Sequence, residues 1–259
     1  MPDSESLKSE LKDRVLVLTL NRPKANALNL ELIEALQASF KQASRDDQVR
    51  CVLLTGSGGA FSAGQDVREF QQAQDISLRA HLLRTYNPLI LQIRRLEKPV
   101  LAAINGPVAG AALGVALACD LRIAAHTARF VVGFLGIGLA PDSGVSLLLP
   151  AIIGLGRATE YAFSNEPISA EQALAWGLVN RVVPAEELTG QATKWAAALT
   201  QGPVKAMGLA KRDFNKAMLG NLEQALDYEA HIQEIAGKGG EHKEGLQAFL
   251  EKRPARYID

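Results

Sequence analysis

Asp142 is an acidic residue in surroundings that are unusual for a charge. It lies in the segment "GFLGIGLAPDSGVSLLLP" (133–150), and between positions 99 and 156 the only acids are Asp120 and Asp142. A carboxylate in apolar surroundings has a raised pKa and can act as a general base. The motif "PDSG" is also typical of a type I turn, in which Asp serves as a cap. Both interpretations of Asp142 stay open at this point.

Two glycine-rich segments could supply a second chemical element. They are "GGAFSAGQDVREF" (58–70) and "INGPVAGAALG" (104–114), and each connects a predicted strand to a predicted helix. A turn that enters a helix presents backbone N–H groups without partners, which suits an anion or a carbonyl oxygen. One donor from each segment, converging on one oxygen, would stabilise negative charge that develops there.

The elements that position these segments follow a repeating pattern. Alternating or β-branched runs predict strands at 14–21 and 50–58, and apolar residues at helical spacing predict a helix over 28–47 between them. This strand–helix–strand order is typical of an α/β fold. The pattern continues with a long amphipathic helix, a buried strand, a small-residue helix and two strands at 78–96, 98–106, 109–120, 121–126 and 128–133.

Helical patterns dominate after Pro150. Ser169 and Gln172 are spaced as a capping box, Gly177 is a candidate helix stop, and a helical run extends from Val204 to about Lys252. The change of pattern at 200–203 divides the chain into a predicted core, 1–200, and a helical C-terminal region, 201–259. Apolar positions in that region favour burial in a homo-oligomer: Leu222, Leu226, Ile232 and Ile235.

Composition argues against several other classes of protein. Lys+Arg and Asp+Glu both number 28, so the zero net charge gives no general attraction to nucleic acid or to an anionic membrane. The cysteines, Cys51 and Cys119, lie in apolar runs and are expected to be buried thiols. The polar start of the chain has no signal-peptide pattern, so we expect a cytoplasmic protein. No metal site is expected, because the four histidines lack ligand spacing: His81, His126, His231 and His242.

In their order along the chain, these segments resemble the enoyl-CoA hydratase/isomerase, or crotonase, superfamily. The likeness covers nearly the whole chain and rests on "VLVLTLNRPKANALN", "AFSAGQDV", "KPVLAAINGPVAGAALGVALACDLRIAA", "ARFVVGFLGIGLAPDSG", "SAEQALAWGLVNRVV" and "EGLQAFLEKRP". The resemblance implies an α/β fold, a crotonase-type spiral of ββα units with a C-terminal helical trimerisation region. It also implies a homotrimer or homohexamer.

The resemblance further implies an acyl-CoA substrate, with no cofactor beyond the coenzyme A thioester itself. The enolate of the thioester would be stabilised by two backbone donors, the N–H groups of Gln65 and Ala111. Coenzyme A would lie across 22–25 and 63–67, and the C-terminal helix would close over its nucleotide. The residues that this implies for the substrate site are Arg22, Lys24, Ala25, Ala63, Gly64, Gln65, Asp66, Val67, Asn87, Gly110, Phe134, Phe249 and Lys252.

The chain departs from the family's hydratases at both catalytic glutamates. Gly114 and Phe134 stand at these positions, so ordinary hydration is not expected. Asp142 matches an aspartate of the 4-chlorobenzoyl-CoA dehalogenases, but Asn87 and Phe134 replace the histidine and tryptophan that those enzymes use. The ring 1,2-epoxyphenylacetyl-CoA isomerases, which also resemble Δ3,Δ2-enoyl-CoA isomerases, share "YNP", "AGQD", the aspartate and the tail motif, and give the nearest likeness.

These observations lead to one hypothesis and two alternatives. The hypothesis is an acyl-CoA isomerase that moves a double bond, or rearranges a ring epoxide, with Asp142 as its single acid/base. One acid can remove a proton at one carbon and return it at another, whereas hydration needs a positioned water and a second group. The alternatives are a biosynthetic decarboxylase or hydratase acting on a carrier-protein thioester, and an inactive crotonase-fold binding module.

Overall fold

Residues 6–72 and 77–257 are described by the computed structural model. Positions 1–5 of the polar N-terminal segment and 258–259 of the predicted C-terminal region lie outside them. The strands are β1 (Leu7–Lys12), β2 (Val15–Leu20), β3 (Cys51–Gly56), β4 (Val100–Ile104), β5 (Val108–Ala109), β6 (Leu121–Ala125), β7 (Arg129–Val131), β8 (Ile168–Ser169) and β9 (Arg181–Val183).

The helices alternate with these strands and then dominate the second half of the chain. They are α1 (Leu30–Arg45), α2 (Val67–Gln72), α3 (Leu78–Arg84), α4 (Tyr86–Arg95), α5 (Ala111–Ala118), α6 (Val145–Ile153), α7 (Leu155–Ser164), α8 (Ala170–Ala175), α9 (Leu188–Gln201), α10 (Val204–Met218), α11 (Leu222–Gly237) and α12 (Gly240–Glu251). Short 3-10 turns lie at Leu135–Ile137 and Ala185–Glu187.

Two sheets organise the α/β part of the molecule. The larger has the order β1-β2-β3-β4-β6-β9 and is parallel except for the β1–β2 pair, and the smaller has the order β5-β7-β8. The chain runs from β4 to β5 to α5, and then from β6 to β7 to α6, so each turn adds one strand to each sheet and then a helix. This is the spiral of ββα units that the resemblance implies.

Burial explains the residue types of the central elements. All five residues of β4 are buried, as expected for a parallel strand that is covered on both faces. All eight residues of α5 are buried too, and its alanines and Gly114 allow neighbouring backbones to approach closely. Cys51 and Cys119 are free, buried thiols, as predicted.

One helix prediction was wrong at 78–96, where two helices, α3 and α4, replace the single helix expected. The chain leaves the helical conformation at Thr85, with φ −107° and ψ −81°. Pro88 lies in the first turn of α4, where a missing N–H costs nothing, whereas in a continuous helix its ring would clash with the carbonyl of Arg84. Sequence periodicity alone did not reveal this break.

The C-terminal half confirms the predicted cap and refines the predicted helical run. Ser169 and Gln172 form the predicted capping box, and Gly177 follows α8 with φ +78°. The run over 204–252 consists of α10, α11 and α12. Within the described residues, no helix combines the length and apolar character needed to cross a membrane.

The apolar positions singled out for oligomerisation have different environments. Leu222 and Leu226 are buried in the chain's own core, because α11 packs against α3, α4 and α6. Ile235, on the same helix, is 57% exposed. Helix α11 therefore belongs to the fold of the single chain, and it also reaches the functional site.

Candidate active site

A cavity of about 290 Å³ brings together the segments that the sequence singled out. The two glycine-rich turns form one side, the segment 131–142 forms another, and α3, α4, α11 and α12 contribute side chains. The lining residues are Ala63, Gly64, Gln65, Val67, Leu78, His81, Leu82, Tyr86, Ala109, Gly110, Ala111, Val131, Gly133, Phe134, Gly136, Ile137, Leu139, Asp142, Asn165, Gln233, His242, Leu246 and Phe249.

The first turn exposes the backbone N–H of Gln65. Leu28 N–H donates to Gly64 O (2.7 Å) and Asp66 N–H donates to Leu28 O (2.8 Å), which is the pattern of a parallel bridge between Leu28 and Gln65. In this pattern the N–H of Gln65 points away from Leu28. No described atom accepts a hydrogen bond from it.

The second turn exposes the N–H of Ala111 at the start of α5. Gly110 precedes it with φ +56° and ψ −131°, a conformation that essentially only glycine adopts. The first N–H groups of a helix have no partner inside the helix. Among the described residues none accepts from Ala111 N–H.

The two turns contact each other directly. Ser62 and Val108 form a parallel bridge, and Ala109 N–H donates to Ser62 O (3.1 Å). A Cβ built on Gly64 would lie 2.7 Å from Ala109 O and 3.6 Å from Ala111 N. Glycine at 64 therefore allows the two turns to approach closely beside the cavity that Gln65 and Ala111 both line.

Asp142 lines the cavity on the loop that precedes α6. It is only 7% exposed, its Oδ1 accepts from Ser143 Oγ (2.6 Å), and its Oδ2 accepts from Gln233 Nε2 (2.5 Å). Burial raises the pKa of Asp142 to about 6, and the two hydrogen bonds oppose this rise. Its backbone forms the expected turn, because Val145 N–H donates to Asp142 O (2.9 Å), but its side chain does not cap α6. The carboxylate therefore lines the cavity without a capping role.

Glu229 supplies the missing cap from α11. Its Oε2 accepts from Gly144 N–H (2.8 Å), and its Oε1 accepts from Ser146 N–H (3.0 Å) and Ser146 Oγ (2.5 Å). Burial raises the pKa of Glu229 to about 7. Sequence reasoning missed both Glu229 and Gln233, since α11 carries many polar residues and nothing in its sequence shows which ones face inward.

A polar cluster holds the side chain of Gln65. Its Oε1 accepts from Tyr86 Oη (2.6 Å) and lies 3.2 Å from His81 Nε2, while its Nε2 donates to Glu69 Oε2 (3.2 Å). Burial lowers the pKa of His81 to about 4, so its imidazole is neutral at pH 7. Tyr86 is fully buried, and its pKa lies well above its usual range.

Most of the other residues implied for the substrate site fall into two groups. Those that line the cavity are Ala63, Gly64, Val67, Gly110, Phe134 and Phe249. Arg22, Lys24 and Ala25 line a second, more open groove, and Arg22 pairs with Asp66 (2.7 Å).

Asn87 and Lys252 lie outside both lining sets. Asn87 is buried, and its Nδ2 donates to Leu226 O (3.0 Å), so its amide faces α11. Lys252 ends α12 in a left-handed conformation, with φ +56°.

Steric contacts exclude an acid at one of the two positions that the resemblance assigns to the hydratase glutamates. A Cβ built on Gly114 would lie 2.3 Å from Ser143 O and 2.8 Å from Ser143 Cβ, so no side chain fits there unless the loop moves. Phe134 is buried and lines the cavity. Asp142 is consequently the only acid among the described residues that line it, and the described residues form no group of potential metal ligands.

Comparison with known proteins agrees with this architecture. A profile described as enoyl-CoA hydratase/isomerase matches residues 10–259. A 1,2-epoxyphenylacetyl-CoA isomerase of Escherichia coli (strain K12) is 40% identical, with 98% of each chain covered. A probable enoyl-CoA hydratase of Rhodobacter capsulatus is 38% identical, with 97% of each chain covered.

Solved structures give the same result. The crystal structure of an enoyl-CoA hydratase from Mycobacterium avium subsp. paratuberculosis K-10 superposes with a TM-score of 0.89 and 35% identity. The match covers 98% of this chain and 99% of that one. Sequence and fold agree over essentially the full length, and the chain belongs to the enoyl-CoA hydratase/isomerase family, the crotonase superfamily of enzymes.

Proposed function

We propose that this enzyme is an acyl-CoA isomerase that moves a double bond, or rearranges a ring epoxide, through a thioester enolate. The observation that carries the proposal is the pairing of one acid, Asp142, with two open backbone donors, Gln65 N–H and Ala111 N–H, on one cavity. The thioester oxygen would accept from both donors. Asp142 would remove a proton from one carbon and return it to another.

The properties of Asp142 suit both halves of this proton transfer. With its pKa near 6, Asp142 is ionised at pH 7 but binds a proton more readily than an exposed aspartate does. After proton abstraction it is a neutral acid, the form that its buried surroundings favour. As the enolate forms, the C=O π pair moves to the thioester oxygen, where one preorganised donor typically contributes about 3 kcal/mol.

Isomerisation is favoured over hydration because Asp142 is the only acid among the described residues that line the cavity. Addition of water needs a group that positions and activates the water, and Gly114 and Phe134 occupy the places where the family's hydratases carry glutamates. The close contact between Gly114 and Ser143 supports this choice, since it leaves no space for a longer side chain. The relatives' names include both activities, so the distinction depends on these residues.

For the coenzyme A part of the substrate, we propose the surface formed by 22–25 and 63–67. The ion pair between Arg22 and Asp66 joins these two segments. Phe249, on the cavity wall, and Lys252, three residues later, would close over the nucleotide from α12. A cation near the phosphates is favourable electrostatically.

We also propose that the protein assembles as a homotrimer or homohexamer. Several large apolar side chains on α10 and α11 are more than half exposed in the single chain: Phe214, Met218, Tyr228 and Ile235. Burial of these side chains against other copies of the chain would favour association. Light scattering at micromolar concentration should give a mass at least three times that of one chain, and a monomer would contradict the assembly.

Two assays on the purified protein test the activity itself. Conversion of 3-enoyl-CoA to 2-enoyl-CoA and hydration of 2-enoyl-CoA are each followed spectrophotometrically, and a carrier-protein thioester replaces CoA in a parallel series. We expect isomerisation of the CoA substrate without comparable hydration. Dominant hydration would contradict the proposal, and so would turnover of the carrier-protein substrate alone.

A further inference from the structure

Two side chains of α11 hold the loop that carries Asp142. Glu229 and Gln233 are four residues apart and therefore lie on the same face of the helix. Glu229 binds the loop at Gly144 and Ser146, as described above, and Gln233 binds it at Ala140 and Asp142. One helical turn of α11 thus fixes the loop on both sides of the carboxylate.

Gln233 has one orientation available to its amide. Its Oε1 accepts from Ala140 N–H (3.3 Å), and an N–H group can only donate. The Nε2 of Gln233 is therefore directed at Asp142 Oδ2 (2.5 Å), in a position where Gln233 is 1% exposed. Flipping the amide would place an NH₂ group against the N–H of Ala140.

The two oxygens of Asp142 consequently have different partners. Oδ2 faces a donor that cannot turn away, whereas Oδ1 faces the hydroxyl of Ser143. A hydroxyl rotates freely and can change from donor to acceptor. Oδ1 can therefore take up a proton while Oδ2 keeps its hydrogen bond.

We propose that Gln233 is a positioning residue that holds Oδ2 of Asp142 in a fixed hydrogen bond and thereby assigns proton exchange to Oδ1. This inference rests on the proposed function in taking Asp142 as the base. In the step, the substrate α-proton moves to Oδ1, the C–H electron pair forms the C=C bond of the enolate, and the C=O π pair moves to the thioester oxygen. The proton then passes from Oδ1 to the γ-carbon while the C=O bond re-forms, which leaves the double bond between the α- and β-carbons. No other reactant is needed.

Other titratable groups surround Asp142 and have to be considered in a test. Glu229 on α11 and Tyr86 on α4 interact with it electrostatically, and His81 on α3 and His242 on α12 line the same cavity. Tyr86 and His81 are uncharged at pH 7 because burial raises the pKa of Tyr86 and lowers that of His81. Substitutions at Gln233 leave all four groups in place.

The test is a direct titration of Asp142 by NMR with ¹³C-labelled aspartate carboxyls. Asp142→Asn identifies the signal, and the pKa is compared among wild type, Gln233→Met and the matched control Gln224→Met, a substitution on the exposed side of α11. Loss of a hydrogen bond to the charged form should raise the pKa in Gln233→Met by about one unit. Gln224→Met should titrate like wild type. An unchanged pKa in Gln233→Met would overturn the proposal.

A second variant, Gln233→Glu, tests the proposal independently in case Gln233→Met fails to fold. Its carboxylate can still accept from Ala140 N–H, and two adjacent carboxyls should titrate in two coupled steps, one of them shifted well upward. A single titration at the wild-type pKa would overturn the proposal even if Gln233→Met failed to fold.

The pH dependence of turnover separates this inference from the proposed function. If Gln233 has this role and Asp142 is the base, the acid limb of the pH–rate profile of Gln233→Met should shift to higher pH. The shift should match the rise in the pKa of Asp142 measured by NMR. A shifted pKa with an unshifted limb would support the role of Gln233 while contradicting Asp142 as the base. A pKa that does not move would contradict the role of Gln233 whatever the turnover.

Discussion

The two sides of the cavity are built in different ways. The side formed by the glycine-rich turns offers backbone N–H groups, fixed by neighbouring turns that pair with each other and with residue 28. The opposite side offers one carboxylate, held by side chains from α11, about ninety residues further along the chain. The first side is rigid because its backbone is paired, and it needs no charge. The second places a charge in an apolar setting, and its proton affinity depends on distant partners.

Substitution of Gly64, in the glycine-rich turns, should cause the largest loss of turnover. Any side chain at 64 is strained by its φ of +85° and meets Ala109 O at 2.7 Å, so Gly64→Ala should force the two turns apart. Displacing an oxyanion donor typically costs about 100- to 1,000-fold in turnover. We expect a loss of that order in isomerase assays.

Gly177→Ala is the matched control for this variant. Gly177 has a similar φ of +78° but open space around its Cβ position, and it lies outside the lining of the cavity. Its variant should share the backbone strain and keep full turnover. Equal activity of the two variants would show that the contact between the turns does not matter for chemistry.

On the acid side, the burial of Asp142 should make the free energy of unfolding depend on pH. Because burial raises the pKa of Asp142 to about 6 in the folded state, folding favours the protonated form, and stability from this group falls as pH rises through that range. Asp142→Asn removes the titration. The free energy of unfolding of Asp142→Asn, relative to that of wild type, should therefore rise by about 3 kcal/mol between pH 4 and 6. Above pH 6 this difference should stay constant.

Urea unfolding at several pH values measures this difference. The informative quantity is how the difference in unfolding free energy between Asp142→Asn and wild type changes between pH 4 and 6. The size of that difference at any single pH also includes changes in hydrogen bonding with Ser143 and Gln233. A difference that is constant with pH would mean that Asp142 has an ordinary pKa in the folded protein.

Substitution of Glu229 tests whether the loop that carries Asp142 depends on side chains of α11. Glu229→Leu leaves the N–H groups of Gly144 and Ser146 without an acceptor at the start of α6, which should cost about 1–3 kcal/mol of folding stability. Glu223→Leu is the control, because Glu223 lies exposed on the same helix and pairs with exposed Arg95. Equal unfolding midpoints for the two variants would contradict a capping role.

Lys252 should give the smallest effect, because it is exposed at the end of α12 and outside the cavity lining. Lys252→Ala should weaken CoA binding by about fivefold at low salt, as expected for an exposed charge, and the difference should disappear at high salt. Calorimetric titration measures the CoA affinity at low and at high salt, with Lys243→Ala on the same helix as control. Identical affinities for the two variants at low salt would remove Lys252 from the site.

The backbone side was the more predictable one from the sequence. The glycines of 58–70 and 104–114 mark local conformations, and a local conformation depends mainly on the residues that adopt it. The resemblance then pointed to Gln65 and Ala111, which line the cavity and whose N–H groups have no acceptor among the described residues. The spiral of ββα units followed from the same continuous likeness.

The supports of the acid side could not be predicted. Asp142 was conspicuous in an apolar segment, but Glu229 and Gln233 reach it only through the packing of α11, and helical periodicity does not identify a distant partner. The break at Thr85 was missed because apolar spacing continues across it. The contact of Ser143 with Gly114 is likewise visible only in three dimensions.

Turnover of Asp142→Asn tests the central claim most directly. Asn preserves the size of the side chain and can still accept from Gln233 Nε2, but it cannot take up a proton at neutral pH. With Asp142 as the acid/base, 3-enoyl-CoA isomerisation should fall by about 100- to 10,000-fold while acyl-CoA affinity stays close to wild type. A variant that keeps turnover within a few-fold of wild type would show that Asp142 is not the acid/base of this enzyme.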